Sequence, residues 1–232
     1  MKASPKMFLS DNRRVRQTES YRLFSTLGRG PHEQTHIFNY SKLFVLNDEE
    51  LAGLGAVTTR VKQACNMILL PVTGELDFSG PDGQVSRINI GEMKVITLPA
   101  NSVIVLSNPL ADEVINYLLI CIEAEKDMDL SALYTFDLDT NQNRLIPMCE
   151  PVTTFCINIG RFKGRNEGIY HPRNKSSCLF SFVIGGAFEF ENCLLQPRDG
   201  LAIGNIQEAD FEALSEGALL LLMRCLTRVK LF

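Results

Sequence analysis

One strand–turn–strand pattern occurs twice in the sequence, and this repeat constrains the fold more than any other feature. "MILLPVTGELDF" at Met67–Phe78 aligns with "LFSFVIGGAFEF" at Leu179–Phe190 without a gap. Gly74 falls on Gly186 in this alignment, between an apolar run and a run of alternating apolar and polar residues. Such a pattern is typical of two β-strands joined by a tight turn. The chain is therefore predicted to contain two copies of one β-structure.

Each copy continues in the same way. A second glycine turn follows, around Gly91 in the first copy and Gly200 in the second. An apolar strand then closes each copy, at "INYLLICIEA" and at "GALLLLMRCL". Short strands and turns at regular spacing predict an all-β fold of two successive jelly-roll barrels. Helical patterns are scarce, and we expect a short helical turn only at 47–55, with Asn47 as its cap.

The repeat also sets the predicted domain limits. We assign residues 1–125 to an N-terminal domain and residues 126–232 to a C-terminal domain. The polar segment from about 124 to 151, which contains "DLDTNQNR", is expected to connect them.

Composition and charge exclude several classes of function. The 232 residues are 45% hydrophobic and 22% charged, with a formal net charge of −4. A nucleic-acid-binding protein usually has a basic face, so no nucleic acid is expected as a partner. The longest apolar run, Ala218–Met223, is too short to cross a bilayer, and the N-terminus shows no signal-peptide core. We therefore expect a cytoplasmic protein with no membrane partner. Its seven cysteines, without a C-x-x-C pair, are expected to be reduced and mostly buried.

A resemblance to a known family lies in the first copy. "PANSVIVLSN" is similar to the second cupin motif, P-x-G-x-x-H-x-x-x-N. Pro99 and Asn108 match that motif, whereas Asn101 replaces the glycine and Ile104 replaces the histidine. "FNYSKLFVLNDEELAGLG" at Phe38–Gly55 resembles the corresponding stretch of the pirin family, which includes quercetin 2,3-dioxygenases. The stretches "FVIGGAFEF" and "RDGLAI" resemble its C-terminal cupin. The resemblance extends from about residue 38 to the C-terminus and implies a bicupin, two tandem cupin barrels.

The same resemblance implies a metal site. In the family, three histidines and a glutamate of the N-terminal cupin hold a divalent or ferric metal, to which imidazole and carboxylate donors are suited. The first two histidines form H-x-H, which places both on one face of a strand. Counting from the flanking glycines, this pair maps either to Arg60 and Lys62 or to Thr59 and Val61.

The other two ligand positions map to apolar residues. The third histidine corresponds to Ile104 and the glutamate to Leu106. Arginine and lysine in the other two positions would be cations, which do not coordinate metals. We therefore predict no metal and no other cofactor. A divalent or ferric transition metal, as in the family, is the alternative.

Two orientations of the strand around residues 58–63 are open. In the first, Arg60 and Lys62 point into the barrel, where an arginine fork would bind a carboxylate or phosphate. In the second, which the alternation of polarity slightly favours, Val57, Thr59 and Val61 point inward. The candidate pocket residues are Arg60, Lys62, Asn66, Ile104 and Leu106.

The second copy offers little for a metal. His171 in "YHPR" is close to the place of the first cupin motif, but a catalytic metal usually takes three protein ligands. Glu208, Asp210 and Glu212 alternate along a predicted strand, and we expect them on a solvated face.

Two functions follow from this sequence. The first is a binding or regulatory protein: a pirin-like bicupin without the family metal, holding a small molecule in its N-terminal barrel or a protein partner. The second is a metal-dependent quercetin 2,3-dioxygenase-like enzyme, as the resemblance implies. Dioxygenation of a flavonol needs a metal, so the missing ligands favour the first function.

Overall fold

The computed structural model describes residues 5–28, 42–125, 129–148, 155–172 and 177–226. These residues form antiparallel strands, one short 3₁₀ turn at Ser10–Asn12 and no α-helix. Within them, no helix is long and apolar enough to span a membrane. The predicted all-β fold is confirmed.

The chain divides into two compact units, each with a large and a small sheet. We call the unit formed by described residues 14–28 and 43–135 the N-terminal barrel. Its strands are β2 (Arg14–Gln17), β3 (Tyr21–Leu27), β4 (Leu43–Leu51), β5 (Ala56–Arg60), β6 (Cys65–Thr73), β7 (Leu76–Ser79), β8 (Val85–Ile88), β9 (Glu92–Leu98), β10 (Val103–Ser107), β11 (Ile115–Glu123) and β12 (Ser131–Thr135). Its large sheet has the order β12-β9-β6-β11-β4-β3-β2, and its small sheet has the order β5-β10-β7-β8.

The second unit, which we call the C-terminal barrel, includes the described residues up to 13 and from 136 onward. Its strands are β1 (Lys6–Phe8), β13 (Ile146–Pro147), β14 (Phe155–Phe162), β15 (Glu167–Tyr170), β16 (Ser177–Gly185), β17 (Phe188–Phe190), β18 (Cys193–Leu195), β19 (Gly200–Gly204), β20 (Ala209–Ala213) and β21 (Ala218–Leu226). Its large sheet runs β1-β19-β16-β21-β14-β13, and its small sheet runs β15-β20-β17-β18.

The two barrels share one topology. Adding ten to each strand number of the N-terminal small sheet gives the C-terminal small sheet in the same order. The run β9-β6-β11-β4-β3 becomes β19-β16-β21-β14-β13 in the same way. The gap-free alignment of Met67–Phe78 with Leu179–Phe190 therefore matches equivalent strands and an equivalent turn.

Each barrel has its own apolar core between its large and small sheets. In the N-terminal barrel, Met67, Leu69 and Leu119 of the large sheet lie in one buried cluster with Phe78 and Leu106 of the small sheet. The core of the C-terminal barrel is rich in aromatic rings, which pack edge to face or stacked. Its rings are Phe162, Phe188, Phe190 and Phe211.

Two predictions differ from the strand pairing in the structure. The expected helical turn at 47–55 is wrong, because Leu43–Leu51 is a nine-residue strand between β3 and β11. The predicted domain limit at 125/126 falls before strand β12, which pairs with β9 and so belongs to the N-terminal barrel. At the other end, Lys6–Phe8 pairs with β19 and belongs to the C-terminal barrel.

Candidate functional site

The strand at residues 56–60 adopts the second of the two predicted orientations. Val57 and Thr59 are half-buried and Val61 is buried, whereas Arg60 and Lys62 are exposed. A pocket with Arg60 and Lys62 as inward cations is therefore not formed, because alternation along the strand directs them to solvent. The remaining pocket candidates are Asn66, Ile104 and Leu106.

The residues that the resemblance aligns with family metal ligands come together, but their side chains do not fit a metal. Ile104 pairs directly with Thr59, and Leu106 pairs with Val57. Ile104 and Leu106 are 0% exposed and lie in the apolar core of the N-terminal barrel. One threonine hydroxyl and aliphatic side chains provide none of the imidazole or carboxylate donors that such metals require. Within the described ranges, no group of three or more His, Cys, Asp and Glu residues is arranged to hold a metal.

Asn66 lies away from this group. Cys65, Met67 and Leu69 of the same strand belong to the core cluster, so Asn66 points to the opposite face of the sheet. It is fully buried, and its Oδ1 accepts a hydrogen bond from Thr97 Oγ1 at 2.7 Å. Its Nδ2 has no hydrogen-bond partner among the described residues.

The C-terminal barrel contains a cavity of about 470 Å³. This volume lies within the range of roughly 300–1,000 Å³ that is usual for small-molecule sites. Buried residues form one part of the wall and exposed residues another. The lining residues are Asn143, Arg144, Leu145, Pro147, Cys156, Asn158, Phe162, Gly168, Ile169, Tyr170, His171, Phe211 and Arg224.

Strand register explains why polar groups face this cavity. On β21, Ala218, Leu220 and Leu222 belong to the barrel core, and Arg224 continues the same face two residues further on. Arg224 pairs directly with Cys156 of β14, and Asn158 follows Cys156 on that same face. Arg224 is only 7% exposed and Asn158 only 5%. The barrel interior thus changes from apolar to polar at one end.

Tyr170 connects these polar groups. Asn158 Nδ2 donates a hydrogen bond to the Tyr170 hydroxyl at 3.5 Å, and the Arg224 guanidinium lies close enough to that hydroxyl to affect its pKa. Burial raises the pKa of the Tyr170 phenol, an effect that the nearby Cys156 reinforces and that Arg224 partly opposes. Tyr170 is therefore a neutral hydroxyl near neutral pH.

The cavity occupies the place in the C-terminal barrel that corresponds to the family metal positions in the N-terminal barrel. Leu106 pairs with Phe78, and Phe211 pairs with Phe190, the counterpart of Phe78 in the repeat. Ile104, two residues before Leu106, thus corresponds to Ala209, two residues before Phe211. Because Thr59 pairs with Ile104 and Tyr170 pairs with Ala209, Tyr170 is the counterpart of Thr59.

The sequence indicates only some of the residues of this site. His171 was considered for a metal, and it lines the cavity as an exposed residue. Glu208, Asp210 and Glu212 alternate with buried Ala209, Phe211 and Ala213, which is the solvated face that was expected. Arg224 and Asn158 were missed, although a cation two residues after Leu222 in an otherwise apolar strand could have revealed Arg224. His32 and His36 lie outside the described residues.

Comparisons with known proteins agree with this architecture. No family model matches the sequence, and no curated protein matches it. Among solved structures, the bacterial pirin YhhW of Escherichia coli in complex with nickel(II) is similar at a TM-score of 0.79 and 14% identity, covering 97% of this chain and 100% of that one. A quercetin 2,3-dioxygenase from Acinetobacter baumannii gives a TM-score of 0.68 at 10% identity, covering 97% and 87% of the two chains. A mutant of the Bacillus subtilis oxalate decarboxylase OxdC gives 0.65 at 8% identity, covering 94% and 76%. The fold of this chain is that of the pirin- and quercetinase-like bicupins.

Proposed function

We propose that this chain is a non-catalytic bicupin that works without the family metal and binds a small molecule in its C-terminal barrel. The observation that supports the proposal is a contrast between equivalent positions of the two barrels. In the N-terminal barrel, Thr59, Ile104 and Leu106 align with family metal ligands, and Ile104 and Leu106 pack into an apolar core. In the C-terminal barrel, Tyr170 and Phe211 occupy the equivalent places and line a cavity. The proposal therefore moves the expected ligand from the first barrel to the second.

Metal content tests the first half of this proposal. We expect untagged protein, purified from medium supplemented with iron, copper, nickel and manganese, to contain far less than one transition metal ion per chain. Inductively coupled plasma mass spectrometry gives this number. A stoichiometric metal that withstands dialysis would contradict the proposal, because it would require a ligand set other than the aliphatic one described above.

The second candidate function is a metal-dependent quercetin 2,3-dioxygenase-like activity. It is favoured by the structural similarity to the quercetin 2,3-dioxygenase of Acinetobacter baumannii. Since the residues at the family positions offer no metal donors, we expect no ring-opened product above a boiled control with any of the four metals added. Product formation that depends on one added metal would establish this enzyme class and exclude the non-catalytic function.

A further inference from the structure

Charge distinguishes the cavity of the C-terminal barrel from an ordinary apolar pocket. Among the described residues, its lining includes Arg224, Arg144 and His171 but no aspartate or glutamate. Arg144 and His171 are exposed, whereas Arg224 is 93% buried, being 7% exposed. The arginines among these lining residues favour a negatively charged occupant.

The buried guanidinium has no compensating charge in the described part of the chain. Burying a cation is costly unless a counter-ion or several hydrogen bonds compensate for its lost hydration. Arg224 forms no ion pair with any described residue, and the Tyr170 hydroxyl, whose pKa its charge lowers, is neutral. Its counterpart in the N-terminal barrel is not an arginine or lysine. That counterpart is Cys121, which pairs with Met67 as Arg224 pairs with Leu179, and it packs in the core.

Tyr170 has a hydroxyl proton that it can donate to an occupant. Its oxygen accepts a hydrogen bond from the Asn158 amide at 3.5 Å, and the Arg224 guanidinium, whose charge lowers the Tyr170 pKa, is its other polar neighbour. A phenol has one proton to donate, and its two neighbours are both donors, so that proton remains for a third group. Arg224 and Tyr170 together thus present N–H and O–H donors to the cavity. A carboxylate, which only accepts hydrogen bonds, matches this pair.

Another part of the cavity wall is suited to a flat apolar group. Phe162 and Phe211 line it, with ring centroids 5.1 Å apart at an interplanar angle of 79°. Leu145 extends the apolar wall. Ring edges and faces of this kind pack well against another aromatic ring.

We infer that the C-terminal cavity binds a small aromatic carboxylate, with the carboxylate on Arg224 and Tyr170 and the ring against Phe162 and Phe211. This inference rests on the proposed small-molecule function and gives it a ligand class. It predicts selectivity for charge between ligands of the same shape.

Two probes of equal shape test this selectivity by isothermal titration calorimetry. 2-Naphthoate offers an anion, and 2-naphthamide offers the same ring with a neutral amide. We expect 2-naphthoate to bind at least about tenfold more tightly, the usual gain of a charge-assisted hydrogen bond over a neutral one. Equal affinities for both probes would overturn the anionic ligand class while leaving small-molecule binding intact. Failure of both to bind at millimolar concentration would overturn the inference, and the metal measurement would still test the proposed function separately.

Variants of the cation test the assignment to Arg224. R224M keeps the length of the side chain and removes its charge, and we expect it to bind the two naphthalene probes equally. R161M is the matched control, because Arg161 lies on the outer face of the same sheet in an ion pair with Asp139 at 2.6 Å. It is expected to retain the preference for 2-naphthoate.

Thermal unfolding separates a ligand-binding role of Arg224 from a structural one. An apolar group in place of an uncompensated buried charge is expected to keep or raise Tm. We therefore expect R224M to unfold at or above the wild-type Tm and to lose the Tm increase that 2-naphthoate gives the wild type. A lowered Tm for R224M, together with an unchanged naphthoate preference in Y170F, would overturn the inference in favour of a structural cation.

Discussion

Glu49 is a carboxyl group enclosed within the N-terminal barrel. It is 2% exposed and pairs directly with Tyr117, which is itself a core residue. The Tyr117 hydroxyl donates to Glu49 Oε2 at 2.7 Å, and Asn47 Nδ2 donates to Oε1 at 3.0 Å. Burial raises the pKa of Glu49, and these hydrogen bonds oppose the increase without cancelling it. Folding therefore favours the protonated acid.

This raised pKa makes the stability contribution of Glu49 depend on pH in a defined direction. A carboxyl whose pKa rises on folding stabilises the native state below its unfolded pKa of about 4.3, and this stabilisation is lost as pH rises through the folded pKa. Glutamine cannot ionise. We therefore expect the free energy of unfolding of E49Q, relative to wild type, to increase from acidic to neutral pH. Urea denaturation at a series of pH values gives this difference, and a difference that is constant or decreases with pH would contradict the assignment.

For Arg224, the sequence reveals which face of the strand the side chain lies on but not the cavity beside it. Its face could be deduced from alternation along "ALLLLMRCL", since Leu220 and Leu222 precede it at the same spacing. The cavity before it could not be deduced, because an empty volume depends on how side chains from several strands fill the space together. Tyr170 was overlooked for the same reason: its partners Asn158 and Arg224 are distant in sequence.

Among the elements, the turns were the most predictable part of the fold. Gly74 and Gly186, matched in the alignment, have φ values of +71° and +72°. A Cβ on Gly74 would lie 2.3 Å from Ile115, and one on Gly186 would lie 2.8 Å from Ala218, so each glycine abuts the first residue of the closing strand. Glycine is needed at both turns for conformation and for space.

The Gly186 turn gives a prediction with a control in the same barrel. Gly217 also has a positive φ, +67°, but nothing lies within 4 Å of its Cβ direction. We expect G217A to lower the free energy of unfolding by about 1 kcal/mol through left-handed strain alone. For G186A we expect about 2–4 kcal/mol, because its methyl group must also displace Ser215 and the Ala218 backbone. Guanidinium denaturation measures both, and equal losses would show that the close approach has no energetic effect.

The other local predictions show where sequence patterns mislead. The sequence pattern matches Gly200 with Gly91, but strand pairing makes Arg198 the counterpart of Gly91. Ile96 pairs with Met67, and Ile203 pairs with the equivalent Leu179. Gly91 lies five residues before Ile96, and Arg198 lies five residues before Ile203. Arg198 adopts φ +70° at that turn, a conformation more usual for glycine. The expected helical turn at 47–55 followed capping preferences that apply to isolated helices. Strand pairing on both sides of β4 overrides them.

For the whole chain, the repeat predicted two barrels but not the strands that complete them. In the N-terminal barrel, β9 is flanked by β12, which follows β11 in the chain. In the C-terminal barrel, the equivalent β19 is flanked by β1, which comes from the start of the chain. A tripeptide has too little pattern to be recognised as a strand. Its partner strand also lies nearly two hundred residues away. Just after β1, the Ser10 amide donates a hydrogen bond to Asp199 Oδ1 across a sequence separation of 189.

Strand β1 should therefore stabilise the C-terminal barrel and not the N-terminal one. Phe8 pairs with Gly200, and its ring lies 5.3 Å from that of Phe180. Truncating this half-buried ring in F8A is expected to cost about 1–2 kcal/mol. Because β19 would then be a weakly covered edge, amide hydrogen exchange should accelerate at Gly200–Gly204 while Cys65–Thr73 stays protected as in wild type. V15A, which truncates an exposed side chain of the N-terminal barrel, should leave both segments unchanged. Faster exchange in Cys65–Thr73 on F8A would show instead that the two barrels unfold as one cooperative unit.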